Sequence, residues 1–160
     1  MLKESETMKI ETHCELPEKL SDLIILALGD LEKAEKSDEY IVDMIHWHNP
    51  LGANPTSVRQ TCQVCLAGSL MAMTLGAPKD RHLTPSDFLS QEVQNKLLAL
   101  NFARMGLVNG ALDILGKPTY WQLGPPSRIG IAVSWYDGGS PDDFKCDMRY
   151  IVERLVSVGE

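Results

Sequence analysis

Long apolar runs are missing from this sequence: none approaches the roughly 20 residues that a helix needs to cross a bilayer. The polar opening "MLKESETMKIETHCELPEK" also lacks the apolar region of a secretory signal. Both absences lead us to expect a cytoplasmic protein with no membrane partner. Basic clusters are missing too. The 15 Lys and Arg are scattered among 22 Asp and Glu, giving a net charge of -7. Such a balance offers no footprint for a phosphate backbone, so no nucleic-acid partner is expected, whereas an acidic surface suits a basic protein. The motifs G-x-x-x-x-G-K-[ST], G-x-G-x-x-G after a strand and G-x-S-x-G do not occur, which removes the recognisable nucleotide-binding and hydrolase signatures. Cysteine is sparse. Four residues in a chain of 160 are not needed as disulfide staples, and reduced thiols are left with packing, metal binding or catalysis as uses. Repeats, low-complexity tracts and linkers are absent, so residues 1–160 are expected to form one globular domain, with 1–16 as a frayed start.

What is present reads as a mainly helical α+β fold. Leu20, Leu23, Ile24, Ala27, Leu28 and Leu31 recur at helical spacing after Pro17, predicting a helix over 17–36. "EYIVDMIHWH" is rich in β-branched and aromatic residues and predicts a strand over 39–48. "NPLGANP" reads as a loop. Ser57 with Gln60 reads as a capping box, starting a helix that ends near Gly76. Thr84, Pro85 and Asp87 cap a further helical stretch through Val93, Leu97, Leu98, Leu100, Phe102 and Met105, which Gly106 bends before "LVNGALDIL". "RIGIAVSWY" predicts a second strand over 128–136. Ser140, Pro141 and Asp143 cap a last helix whose apolar face is Phe144, Met148, Ile151, Val152 and Leu155. The two strands are expected in one small sheet, covered by the helices that begin near Ser57 and Ser140.

Chemistry concentrates in "HWHNPLGANPTSVRQTCQVCLAGSLMAM", which holds His46, His48, Cys62 and Cys65. Zinc takes tetrahedral nitrogen and sulfur ligands, and these four residues have the right softness and number, although the histidines precede the cysteines and are only two apart. As an enzyme site, Cys62 or Cys65 would be the nucleophile and His48 or His46 its base. A helix amino terminus lowers a thiol pKa only within its first turn, and a helix begun at Ser57 carries both cysteines past that turn. A third reading makes Cys62, Cys65, Ser69 and Ala72, with Gly68, a stripe of small residues that admits another helix. It uses the whole helix rather than two positions. Trp47 and Trp135 end the two predicted strands, so a ligand pocket would have Trp47, His48 and Trp135 at its rim. Tyr120, Trp121 and Tyr136 are expected in the core.

"WHNP" followed by "CQVCLAGSLMA" resembles a recurrent pattern in small bacteriophage and prophage proteins, a family without an assigned activity; similarity is weaker in the flanking helices. The resemblance implies an accessory role in the cytoplasm of a bacterial host rather than a reaction. The expectation is a protein that binds a host or defence-system protein, with no catalysis and no cofactor. The alternatives are a Cys/His enzyme or small-ligand binder of nucleotide type, and a structural zinc domain.

Overall fold

The computed structural model describes residues 8–54, 57–123 and 141–160. Helix α1, Leu20–Lys36, forms where the apolar spacing predicts it, and buries Leu20, Leu23, Ile24, Ala27, Leu28 and Leu31. Lys33 and Lys36 lie in its last turn, where positive charge suits the exposed carbonyls, and the chain turns extended at Ser37. Three strands follow: β1 Tyr40–Val42, β2 His48–Asn54 and β3 Ser57–Val64. They form one mixed sheet in the order β1-β3-β2, with β1 parallel and β2 antiparallel to the central β3. Tyr40 and Pro50 both face Cys62 in the register, while Val42 and His48 both face Val64.

This sheet corrects three sequence expectations. The strand expected over 39–48 is cut at Asp43: its carboxylate accepts the amide of Ile45 at 3.0 Å, its carbonyl accepts that of His46 at 3.2 Å, and a turn results. "HNPLGAN" is a strand rather than a loop. Pro50 is tolerated because β2 is an edge, and the register shifts on either side of Gly52 absorb its irregularity. The helix expected from Ser57 is also displaced, since residues 57–64 are β3. Sheet pairing on both sides overrides the capping signal of Ser57 and Gln60.

Helix α2, Leu66–Met73, starts only at Leu66, with Cys65 as its N-cap. Leu66 to Met71 are all buried, as befits a helix that is apolar on every side. Thr84 and Asp87 form the expected capping bond at 2.8 Å, but it closes a short 3-10 turn at Pro85–Asp87. The longer α3, Gln91–Arg104, has its own cap, with Ser90 Oγ accepting the amide of Val93 at 3.2 Å. Gly106, at φ +82°, supplies the left-handed residue that ends α3 before α4, Val108–Ile114. Helix α5, Pro141–Ser157, packs on α1 and buries Phe144, Met148, Ile151 and Leu155 of its predicted face. The core is continuous across α1, α2, α3, α4 and α5.

The strand predicted over 128–136 and the cap at Ser140 lie outside the described residues, as do Trp135 and Tyr136. At positions 10 and 16 the chain is tied down, against the frayed start expected over 1–16. Ile10 donates to Asp87 O at 2.8 Å and accepts from Leu89 at 2.9 Å, and Leu16 belongs to the core. Trp121 is not in the core but stands 88% exposed, next to a backbone pinned by Asn109, which bonds both the carbonyl and the amide of Tyr120. Among the described residues no helix is long and apolar enough to cross a membrane.

Candidate functional site

Alternation along β3 decides where the first cysteine goes. Cys62 and Val64 turn to the interior and are fully buried, with Ala34, Tyr40, Val42 and Met73 around them, while Thr61 and Gln63 on the other face are half-buried. On the neighbouring edge strand, His48 is 2% exposed. Its Nδ1 lies 2.8 Å from the carbonyl of Arg81 and 3.5 Å from Cys62 Sγ. Nδ1–H therefore donates to the Arg81 carbonyl, which leaves Nε2 unprotonated, buried and, among the described residues, without a hydrogen-bond partner.

The electrostatics of this pair keep it neutral. Burial pushes the Cys62 thiol up to about 11, against weaker opposing effects of the Asn49 backbone and Lys79. Burial also lowers the His48 pKa, and the hydrogen bond to Arg81 offsets only part of that. Nucleophilic catalysis needs a thiolate beside an imidazole able to take its proton. Here the nearer ring nitrogen carries a proton held by a carbonyl, and the sulfur is a thiol.

Cys65 stands apart in role. Its Sγ accepts the amide of Gly68 at 3.4 Å, and its S–H points to the carbonyl of Trp47 at 4.0 Å. A cysteine at a helix start would ordinarily have a lowered pKa, yet burial raises this one despite the Gly68 amide. Gly68 meets the same carbonyl: a Cβ on it would sit 1.6 Å from Trp47 O. The small-residue stripe is thus corrected. Cys62 belongs to the sheet, and Cys65 and Gly68 admit the backbone of Trp47 rather than a second helix. The Trp47 side chain is half-buried and packs against the main core.

His46 does not join His48. It lies in the Asp43 turn, with Nδ1 3.3 Å from Asp43 Oδ2. That carboxylate accepts Gln63 Nε2 at 3.2 Å, and Gln63 Oε1 accepts Asn49 Nδ2 at 2.6 Å, forming a polar chain on the outer face of the sheet. Of the four residues weighed as zinc ligands, the structure brings together His48 and Cys62 alone. Among the described residues no three His, Cys, Asp or Glu side chains converge as a metal site requires.

Sequence reasoning missed Arg81, because its contribution is a backbone carbonyl that carries no residue-type signal. It also missed Lys96, buried on α3, whose Nζ donates to Leu16 O at 2.9 Å, Glu92 Oε2 at 2.9 Å and Glu18 Oε2 at 3.1 Å. Burial alone would lower its pKa, but the two carboxylates outweigh that and hold it raised. A cleft of about 380 Å³ opens beside this cluster, between Glu18, Asn95, Leu115 and Lys117, and neither Cys62 nor His48 lines it. A scan against protein-family models, and searches of curated proteins and of solved structures, found no match for this chain.

Proposed function

We propose that this chain is a binding protein, an accessory factor of phage type that engages a host or defence-system protein in the bacterial cytoplasm and catalyses no reaction. One observation carries this reading: the cysteine and histidine best placed for chemistry are sealed and uncharged, the thiol at about 11 and the imidazole proton held by Arg81 O. Two further features support it. Ile41, Ile45 and Leu51, in or between the strands, are 45%, 57% and 49% exposed, and large apolar side chains left in water are candidates for protein contact. The net charge of -7 favours a partner with a basic surface.

The small-ligand reading of nucleotide type retains one observation, the unpartnered Nε2 of His48, which could accept a donor from a ligand. A single experiment separates the two. Affinity capture from host lysate is run beside mass spectrometry of small molecules released from the purified protein. A partner retained by the wild type and by Cys62→Ser, and lost on Ile41→Asp, is the expected result. A stoichiometric metabolite that disappears with His48→Ala, with no partner captured, would replace our reading with the second.

A further inference from the structure

Two hydrogen bonds tie residues 81–83 to the free side of β2, and both belong to His48. The Leu83 amide donates to the His48 carbonyl at 3.1 Å, and the His48 ring donates through Nδ1 to the Arg81 carbonyl at 2.8 Å. Leu83 itself is 2% exposed. The other ring nitrogen is buried and has no hydrogen-bond partner among the described residues. We propose that His48 is an acid-sensitive latch: when Nε2 takes a proton, residues 81–83 part from β2, water reaches the ring, and the β2 edge and the Cys62 thiol become accessible.

The groups around the ring give a proton on Nε2 nothing to pair with. From β3 comes the Cys62 thiol, neutral, and Val64, apolar. From the strapped segment come Arg81, a cation, and His82, exposed and repulsive once charged. Beyond Cys62 lie the Tyr40 phenol and the Lys79 ammonium, neither an anion near neutral pH. Among the described residues, no carboxylate lies within ion-pair distance of His48. A buried, unpaired imidazolium is therefore strongly disfavoured, and the protein can escape it only by hydrating the ring. Lifting residues 81–83 sacrifices two hydrogen bonds and the burial of one leucine, far less than opening the core, so local release is the cheapest route. The sign follows. The closed state resists the proton, because burial lowers the His48 pKa, and the open state takes it at the ordinary value near 6.5. Opening thus grows about tenfold per pH unit below that value, until the pH reaches the lowered one.

Amide hydrogen exchange read by NMR on the full chain tests this. At pH 5.5 the Leu83 amide should have less protection than at pH 7.5, by up to about tenfold, while the Asp43 amide, bonded to Val64 O at 2.8 Å on the β1 side, keeps its protection. In His48→Asn the side-chain amide occupies the Nδ1 position, donates to Arg81 O and cannot titrate, so Leu83 protection should be the same at both pH values. His82→Gln should keep the wild-type drop. Equal Leu83 protection at both pH values in the wild type, or an undiminished drop in His48→Asn, overturns the proposal. If His48→Asn does not fold, the wild-type imidazole nitrogen shifts decide: protonation of His48 that coincides with loss of Leu83 protection supports the latch, and protonation with Leu83 still protected refutes it.

Discussion

Replacing Gly68 by alanine adds a single methyl group, and the structure gives that methyl nowhere to go. Its carbon would fall 1.6 Å from the carbonyl oxygen of Trp47, 2.9 Å from the carbonyl carbon and 3.2 Å from Val64 Cβ. The obstacle is backbone, so no rotamer change relieves it. Helix propensity alone would favour alanine by about 1 kcal/mol. Overpacking ordinarily costs about 1–3 kcal/mol, and a clash with main chain belongs at or above the top of that range, for a net loss of about 2–3 kcal/mol. In urea unfolding this should move the midpoint down by about 1 M at an unchanged slope. Gly29, in the middle of α1, is the internal control, because nothing lies within 4 Å of its added Cβ. Gly29→Ala should therefore stabilise the fold by about 0.5–1 kcal/mol. A Gly68→Ala protein as stable as the wild type would refute the packing of α2 against Trp47, and with it the position of Cys65.

Thiol titration with a disulfide reagent near pH 8 should find two fast sites, Cys14 and Cys146, which are exposed, and all four only after denaturation. Cys62, at about 11, should react about a hundredfold more slowly than an ordinary thiol, and fast labelling there would revive the nucleophile. Asp30, buried in α1 and accepting Thr74 Oγ1 at 2.5 Å, has its pKa raised by burial against the pull of Thr74 and Lys33. The folded state then holds its proton more tightly than the unfolded state, so Asp30 contributes most at low pH and that contribution fades as pH rises through the raised value. Asp30→Asn should flatten this part of the profile of melting temperature against pH above about 4; an unchanged slope would assign it to another group. Lys96→Met leaves the Leu16 carbonyl without its donor and should cost about 2 kcal/mol, or about 4–8 °C in melting temperature, so a shift under a degree would show that the cluster is not a fastening.

Helices were legible in the sequence where an apolar face faces the core. Leu20 to Leu31 and Phe144 to Leu155 announce α1 and α5 by spacing alone, because burial of one stripe selects those positions. The sheet was harder to read, for reasons visible in single residues. Asp43 breaks a run of strand formers through its own side chain, and Pro50 and Gly52 look like loop residues until β2 is known to be a bulged edge. Ser57 and Gln60 carry a real capping signal, but non-local pairing on both sides of β3 outweighs it. The candidate site inherited that error. Placing Cys62 and Cys65 on one helix hid the fact that one faces His48 from a strand while the other caps the helix that follows. The nearness of His48 to Cys62 was legible in outline, and the carbonyl that orients the imidazole was not.

The strand order has a consequence for how the chain assembles. The central strand is the last of the three to be synthesised, and β1, the first, is parallel to it, so β1 has no partner until the whole of β2 and β3 has followed. Only the antiparallel β2–β3 pair can close locally; the β1 contact must bring together positions separated by that entire hairpin, and its loop-closure entropy is spent before any sheet bond rewards it. On a ribosome, the nascent Tyr40–Val42 segment would wait with its backbone unpaired, next to an α1 whose core partners are also still to come. Exposure of unpaired β1 backbone is therefore concentrated in time, in the interval before Val64 emerges, while the apolar face of α1 waits longer, for α2 and α5.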